Sequence, residues 1–392
     1  MMKVKMLNRK DRCSKTLGPN SQFIGMPGSR KRLMTPCLVV DLDSLERNIA
    51  LMAKKCKAHN MVLRPHAKSH KCVKIAKMQI KNGAVGISVA NIGEAEVFAE
   101  NGIKDILITS PIIGDAKIER LLYLIEKKHN IITVVDNLPH AMHVSKRAMQ
   151  RNLSIPIYLD IDMGRKRTGV ASIEQGLSLA RFLHENQFFK FCGIQAYAGH
   201  LSHQENFADR LEGGIQAKKY LDELLSKLVS IGINIDTVSG GSTGTIEIDT
   251  KLKRLDELQY GSYIFMDVEY DVVDLGGHKG RLFEPSLFVR TTVVNKNWPK
   301  IATADAGFKH FSSKYAHPLV WGRHRTKLTY EPKSDEHGRI KVLEGPDYIE
   351  LGDSIECFVP HCDPTVNLYN HYHVVRQNTL VDIWPVDARG AF

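Results

Sequence analysis

Between residues 36 and 265 short apolar runs alternate with longer amphipathic stretches, and few architectures accept such a string. The runs lie at 61–65, 84–89, 105–109, 131–135, 155–161, 191–197, 235–239 and 257–265. The segments between them carry a helical repeat: Ala95, Val97 and Phe98 share one face, and Ile118, Leu121, Leu122 and Ile125 share another. Gly83, Gly102 and Gly232 mark helix stops. Eight strand–helix units in succession outline a (β/α)8 TIM-like barrel. A doubly wound open sheet gives a similar string, and periodicity does not choose between the two.

After about residue 280 the texture changes to short alternating runs without long helical intervals, as in SLFVRTTVVNK, DSIECFVPH and YHVVRQNTLVDIWPV. This reads as a mostly antiparallel β domain. The chain therefore divides into an N-terminal segment, 1–35, packing on the β domain, a barrel over 36–280, and the β domain over 281–392.

Hydrophobic residues at 43% and charged residues at 25% exclude wholesale disorder. No apolar run reaches the length of a membrane span. Residues 1–34 lack the apolar core of a secretory signal, although Asp11 is their one acidic residue, a composition shared with transit peptides. The formal net charge of +11 favours anionic partners, and with no nucleic-acid-binding signature these are small anions. Seven cysteines, odd in number and without a CxxC pair, read as reduced thiols in a cytoplasmic setting.

Three segments concentrate chemistry. Arg64-Pro65-His66-Ala67-Lys68 stands where the first barrel strand gives way to its loop, on the rim that carries catalysis in such barrels, and an amine there can attack a carbonyl. Ser239-Gly240-Gly241-Ser242-Thr243-Gly244-Thr245 follows the seventh run, where glycines let backbone N–H groups approach a phosphate. His361-Cys362-Asp363 lies in the β domain; on an extended segment His361 and Asp363 point the same way and can share a divalent ion. Weaker clusters fall on the same rim: Asp160, Asp162, Arg165 and Arg167 after the fifth run, Tyr197, His200 and His203 after the sixth, and Tyr260 and Tyr263 in the eighth.

Taken together, these segments resemble the family of D-threonine aldolases, 3-hydroxy-D-aspartate aldolases and D-serine dehydratases, whose barrel is like that of alanine racemase and which carry pyridoxal 5'-phosphate. The resemblance spans nearly all of residues 35–392, with DEHG (335–338) and the closing WPVDARG also family-like. RPHAKSHK matches the cofactor-lysine segment and implies attachment at Lys68. SGGSTGT matches the phosphate loop and implies contacts from Gly241, Ser242, Thr243 and Gly244. PHCDPTVNLY matches the metal segment and implies that His361 and Asp363 hold manganese, magnesium or zinc. The family's dehydratases tend to carry Cys at the position of Asp363 and its aldolases Asp, so the resemblance implies an aldolase that cleaves a D-3-hydroxy amino acid to glycine and an aldehyde. The alternative is a D-serine or 3-hydroxy-D-aspartate dehydratase releasing an oxo acid and ammonia. His203 or His200 would be the base, Arg167, Tyr197 and Tyr260 would line the cofactor, and the working form would be a homodimer. Asn370, and YAGHLSH around His200, depart from the aldolase pattern.

Overall fold

The computed structural model describes residues 17–275, 281–312, 315–322, 326–343 and 349–392, and all counts here refer to them. They form two compact units. One comprises Arg47–Glu284 with Asp387–Phe392; the other comprises the described residues up to Glu46 with Pro285–Val386. No helix among the described residues is long and apolar enough to cross a membrane.

The strand β1 (Cys37–Asp41) leads into helix α1 (Leu42–Ala58), and the barrel follows. Its strands are β2 (Val62–Leu63), β3 (Ile87–Val89), β4 (Asp105–Ile108), β5 (Asn130–Val135), β6 (Ile155–Asp160), β7 (Phe189–Ala196), β8 (Val238–Gly240) and β9 (Glu257–Leu258). Helices α2 (Val73–Lys81), α3 (Ile92–Glu100), α4 (Asp115–Glu126), α5 (Leu138–Gln150), α6 (Ile173–Glu185), α7 (Phe207–Ser230) and α8 (Ile246–Leu252) alternate with them. Local chemistry sets the helix ends. Asn91, Asn137, Ser172 and Asn206 accept backbone N–H groups at the starts of α3, α5, α6 and α7. Gly83, Gly102 and Gly232 adopt positive φ just past α2, α3 and α7.

The strands run in parallel in the order β2-β9-β8-β7-β6-β5-β4-β3. A parallel bridge between His66 and Ser88 joins the two ends of that order, with Ser88 N donating to Pro65 O and Val85 N donating to Leu63 O, each at 2.9 Å. The ring is closed, which decides for the barrel over the open sheet. The eighth run, which reads as one strand to Phe265, pairs only at Glu257 and Leu258 and then turns through a single 3-10 turn, Ser262–Ile264. A Cβ at Gly261 would stand 2.9 Å from the His66 carbonyl, so the chain there needs glycine to pass close to the first strand's exit.

A chain of polar side chains crosses the barrel interior. Arg64 Nε donates to Glu257 Oε2 at 2.7 Å, both side chains being buried. Ser239 Oγ donates to Glu257 Oε1 at 2.7 Å, Gln259 Nε2 to Ser239 Oγ at 2.9 Å and to Gln195 Oε1 at 3.4 Å.

The second unit is a mostly antiparallel sheet. Its strands are β1, β10 (Leu287–Trp298), β11 (Ile301–Ala304), β12 (Leu319–Val320), β13 (Leu328–Pro332), β14 (Gly338–Val342), β15 (Ser354–Phe358), β16 (His371–Arg376) and β17 (Thr379–Pro385). The sequence pattern starts the barrel at residue 36, yet β1 pairs antiparallel with β10 and parallel with β16. A fully apolar run fits the middle of either sheet, and pairing decides. Phe288, Trp321 and Phe358 pack their rings 5.6–6.1 Å apart on this sheet. Arg30 binds Glu356 through Nε and Nη2 at 2.9 and 2.7 Å and Asp41 at 3.1 Å, which fastens part of the 17–35 segment to β15 and β1. Residues 1–16 lie outside the described residues.

Glu257→Ala leaves the Arg64 guanidinium buried without its counter-charge, and we expect a loss of about 3–5 kcal/mol in urea unfolding of the barrel. Replacing both Arg64 and Glu257 with apolar residues of similar volume should cost much less.

Candidate active site

Arg64, Pro65 and His66 leave β2 and enter the 3-10 turn Ala67–Ser69, which carries Lys68 at the C-terminal rim of the barrel. Thr109 Oγ1 donates to Val89 O, so it accepts from His66 Nε2 at 3.1 Å. That places the imidazole proton on Nε2 and leaves Nδ1 to accept from the Lys68 N–H at 3.3 Å. Ser69 Oγ closes the turn on His66 O at 3.1 Å. The backbone of Lys68 is thus held by groups on neighbouring strands, and its side chain is half-buried.

The segment after β8 forms a second rim element. Gly241 has φ +82, and a Cβ there would meet the Tyr260 ring at 2.6 Å and Asp249 Oδ2 at 2.7 Å. A Cβ at Gly244 would overlap the Ser202 carbonyl. The loop continues through the 3-10 turn Thr243–Thr245 into α8. It is braced from beneath: Asp249 Oδ2 accepts from Thr245 Oγ1 at 2.6 Å and from Tyr260 OH at 3.0 Å, while Oδ1 accepts from Arg254 Nη2 at 2.6 Å. Among the described residues Arg254 Nε and Nη1 and Ser202 Oγ are buried without a hydrogen-bond partner. Close-packed glycines beside uncommitted buried donors and a buried guanidinium fit an anion the size of a phosphate. Tyr260 is fully buried and reaches this loop from behind, through Asp249.

Between these elements the ends of β6 and β7 bring together Asp160, Asp162, Arg165, Arg167, Gln195 and Tyr197. The Arg167 guanidinium stands 5.3 Å from the centre of the Tyr197 ring. Asp162 Oδ1 shapes the loop by accepting from Gly164, Arg165 and Lys166 N–H groups at 2.8–3.0 Å. Gln195 Nε2 donates to Asp160 Oδ1 and to Thr109 O, both at 2.9 Å, linking this cluster to the His66 turn. Burial pushes the Asp160 carboxyl up to about 7, partly offset by hydrogen bonds from Gln195 and Thr168. The two candidate bases differ in setting. His200 faces Gly164, at whose Cβ position it would be 3.4 Å away, and desolvation and the Arg165 guanidinium hold it below the usual imidazole range. His203 packs against Tyr270 with the rings tilted by 38° and their centres 4.5 Å apart.

In the other unit the segment expected to be extended is not. His361 has extended backbone, but Cys362–Val366 forms a short helix, so Asp363 sits in a first helical turn. The alternation argued for His361 and Asp363 does not apply there. A helix start suits the sequence Asp363-Pro364, with proline in its first turn. Cys362 Sγ lies 3.3 Å from Asp363 Oδ1, and His361 and Cys362 offer ligand atoms within 4.8 Å of each other. Imidazole nitrogen, thiol sulfur and carboxylate oxygen are donors that suit a divalent transition metal. DEHG (335–338) forms the turn between β13 and β14, and Asn370 is exposed.

The model of the alanine racemase N-terminal domain matches residues 40–269, and a serine dehydratase domain model matches 286–375. The 3-hydroxy-D-aspartate aldolase of Paracoccus denitrificans is 36% identical over 93% of this chain and 95% of its own length. The D-threonine aldolase of an Arthrobacter species is 36% identical over 92% and 93%. The chain belongs to the alanine racemase-like family of D-threonine aldolases, 3-hydroxy-D-aspartate aldolases and D-serine dehydratases. Among solved structures of that family, the D-threonine aldolase from Filomicrobium marinum superposes with a TM-score of 0.87 at 33% identity, covering 91% of this chain and 96% of that one. Curated dehydratases of the family match at lower identity than the aldolases.

Several residues that brace these elements escape a reading by motif: Gln195, Glu257, Gln259, Asp249 and Arg254. The first three had a signal, a polar residue inside an otherwise apolar strand run, which in a barrel marks an inward position. Asp160 offers a direct check. A carboxyl titrating near 7 when folded and near 3.9 when unfolded holds its proton preferentially in the folded state, so its contribution to stability falls as pH rises from about 4 to about 7. Asp160→Asn should therefore gain on the wild type between pH 5 and pH 8 in chemical denaturation; a constant difference would refute the raised value.

Proposed function

We propose that the protein is a pyridoxal 5'-phosphate- and divalent-metal-dependent aldolase that cleaves a D-3-hydroxy amino acid, of the D-threonine or 3-hydroxy-D-aspartate type, to glycine and an aldehyde. The observation that carries this reading is Lys68, held in a braced turn on the same barrel rim as a glycine-built anion cradle. Its setting is a chain 36% identical to two such aldolases over most of its length.

Lys68 would hold the cofactor covalently, and Gly241, Ser242, Thr243 and Gly244 would hold its phosphate, with Tyr260 and Asp249 keeping that loop in place. Arg167 and Tyr197 would flank the ring. His361 and Asp363 would hold manganese, magnesium or zinc, with Cys362 beside them. When bound, the cofactor ring takes up the electron pair left at Cα, and the metal serves as a Lewis acid toward the β-oxygen. The chain itself moves the proton: a neutral imidazole accepts it from the β-hydroxyl, and His200, held below the usual range, is neutral at pH 7. His203 is the second candidate for that step. The Asp162-shaped loop orients Arg165 and Arg167, whose positive charges suit an anionic substrate. Cysteines held as thiols at the six described positions agree with a reducing, cytoplasmic compartment, and the working form in this reading is a homodimer, which sedimentation equilibrium would report.

The purified protein should show a visible absorbance band that Lys68→Ala abolishes. With D-threonine and metal it should release glycine and acetaldehyde; release of 2-oxobutanoate and ammonia would establish a dehydratase instead. His361→Ala and Asp363→Ala should each lose bound metal and at least about a hundredfold in turnover, and turnover insensitive to EDTA would remove the metal from the scheme.

A further inference from the structure

Asp387–Phe392 belongs to the barrel unit, although Pro285–Val386 before it belongs to the other. Its first residues are fastened to the segment that follows Lys68. Asp387 Oδ2 accepts from the N–H of Val73, the first residue of α2, at 2.7 Å. The preceding residue, Cys72, gives α2 no side-chain cap, so Asp387 supplies one from far along the chain. Ala388, fully buried, donates its N–H to Lys71 O at 3.0 Å. Farther on the tail lies flat on α3: a Cβ at Gly93 would stand 2.5 Å from Phe392 N. Arg120, paired with Glu96, donates to Phe392 O at 2.8 Å. The two family models, matching 40–269 and 286–375, leave these residues out.

The residue gripped by Ala388 is itself unusual. Lys71 has φ +50, in the left-handed region that a lysine seldom occupies. Such a conformation persists where several contacts over-determine it. Here Lys71 N donates to Ala67 O at 2.7 Å, across the turn that contains Lys68. Lys71 Nζ binds the buried Glu94 at 2.6 Å, and Lys71 O receives Ala388. The strained residue, the tail and the helix cap all bear on one stretch, 67–73.

We propose that Asp387, together with the Ala388 N–H, is a positioning element for Lys68. It latches the 67–73 segment in the shape that presents the Lys68 amine at the barrel mouth. This rests on the reading of Lys68 as the cofactor lysine. Asp387 works through backbone groups and does not touch the reacting atoms.

The test follows decay of the visible band as the holoenzyme is dialysed against cofactor-free buffer. Asp387→Ala should lose pyridoxal phosphate at least about tenfold faster than the wild type. Asp387→Asn, whose amide oxygen still accepts from Val73 N–H, should stay within about threefold of it. Ala388→Pro, which lacks the donor to Lys71, should behave as Asp387→Ala does, and it carries the test if Asp387→Ala does not fold. A contribution to global stability alone would lower the melting temperature and leave cofactor retention by folded protein unchanged. Retention at the wild-type rate in the folded variants overturns the latch. A visible band that survives Lys68→Ala overturns the lysine assignment, an outcome reached without altering the tail.

Discussion

One of the two shortest strands of the barrel is the one on which most depends. β2 pairs through two residues with β9 and meets β3 only at a single bridge, yet Lys68 follows it within a few residues. The Arg64 guanidinium spans that weak point. One side binds Glu257 on β9, and the other fills the space that Gly86, just before β3, leaves open: a Cβ there would stand 2.6 Å from Arg64 Nη1. In a medium of low dielectric this pair acts over short range with little screening, and it fixes orientation as well as distance. The rim can be precise because its seam is held by a charge pair rather than by a long ladder.

From that pair inward the barrel is filled differently from one packed with aliphatic layers. Glu257, Ser239, Gln259, Gln195 and Asp160 pass hydrogen bonds from strand to strand until they reach Thr109 and the His66 turn. Buried polar groups joined in this way are costly to rearrange piecemeal. The same chain that braces Lys68 therefore also sets the environment of Asp160. The loop over Asp249 and Arg254 repeats the design: a buried charge pair beneath, glycines above, and buried donors left over beside them.

The eight units were legible because strand and helix differ in period, and because the glycines after α2, α3 and α7 need positive φ. β1 was not, since CLVVD is apolar throughout and nothing in it says which sheet will take it. The eighth run overstated its strand because burial on all sides keeps Gln259 to Phe265 apolar or packed whether or not they pair. Lys68 and the Gly241–Gly244 loop stood out through local composition. Asp249, Arg254 and Gln259 did not, because their partners lie on other elements and only the closed ring brings them into reach. The His361–Asp363 segment was recognised as a cluster, but its backbone was misjudged: Pro364 in a first turn starts a helix where alternation suggested a strand.

The bond between Asp387 and Val73 joins residues 314 positions apart. Every barrel strand leaves the ribosome long before Asp387 is made, so a nascent barrel spends that interval with α2 uncapped and Lys71 O without its donor. Contacts of such separation come late and slow the final step. The turn that carries Lys68 thus reaches its final shape only after the whole intervening sheet has been synthesised.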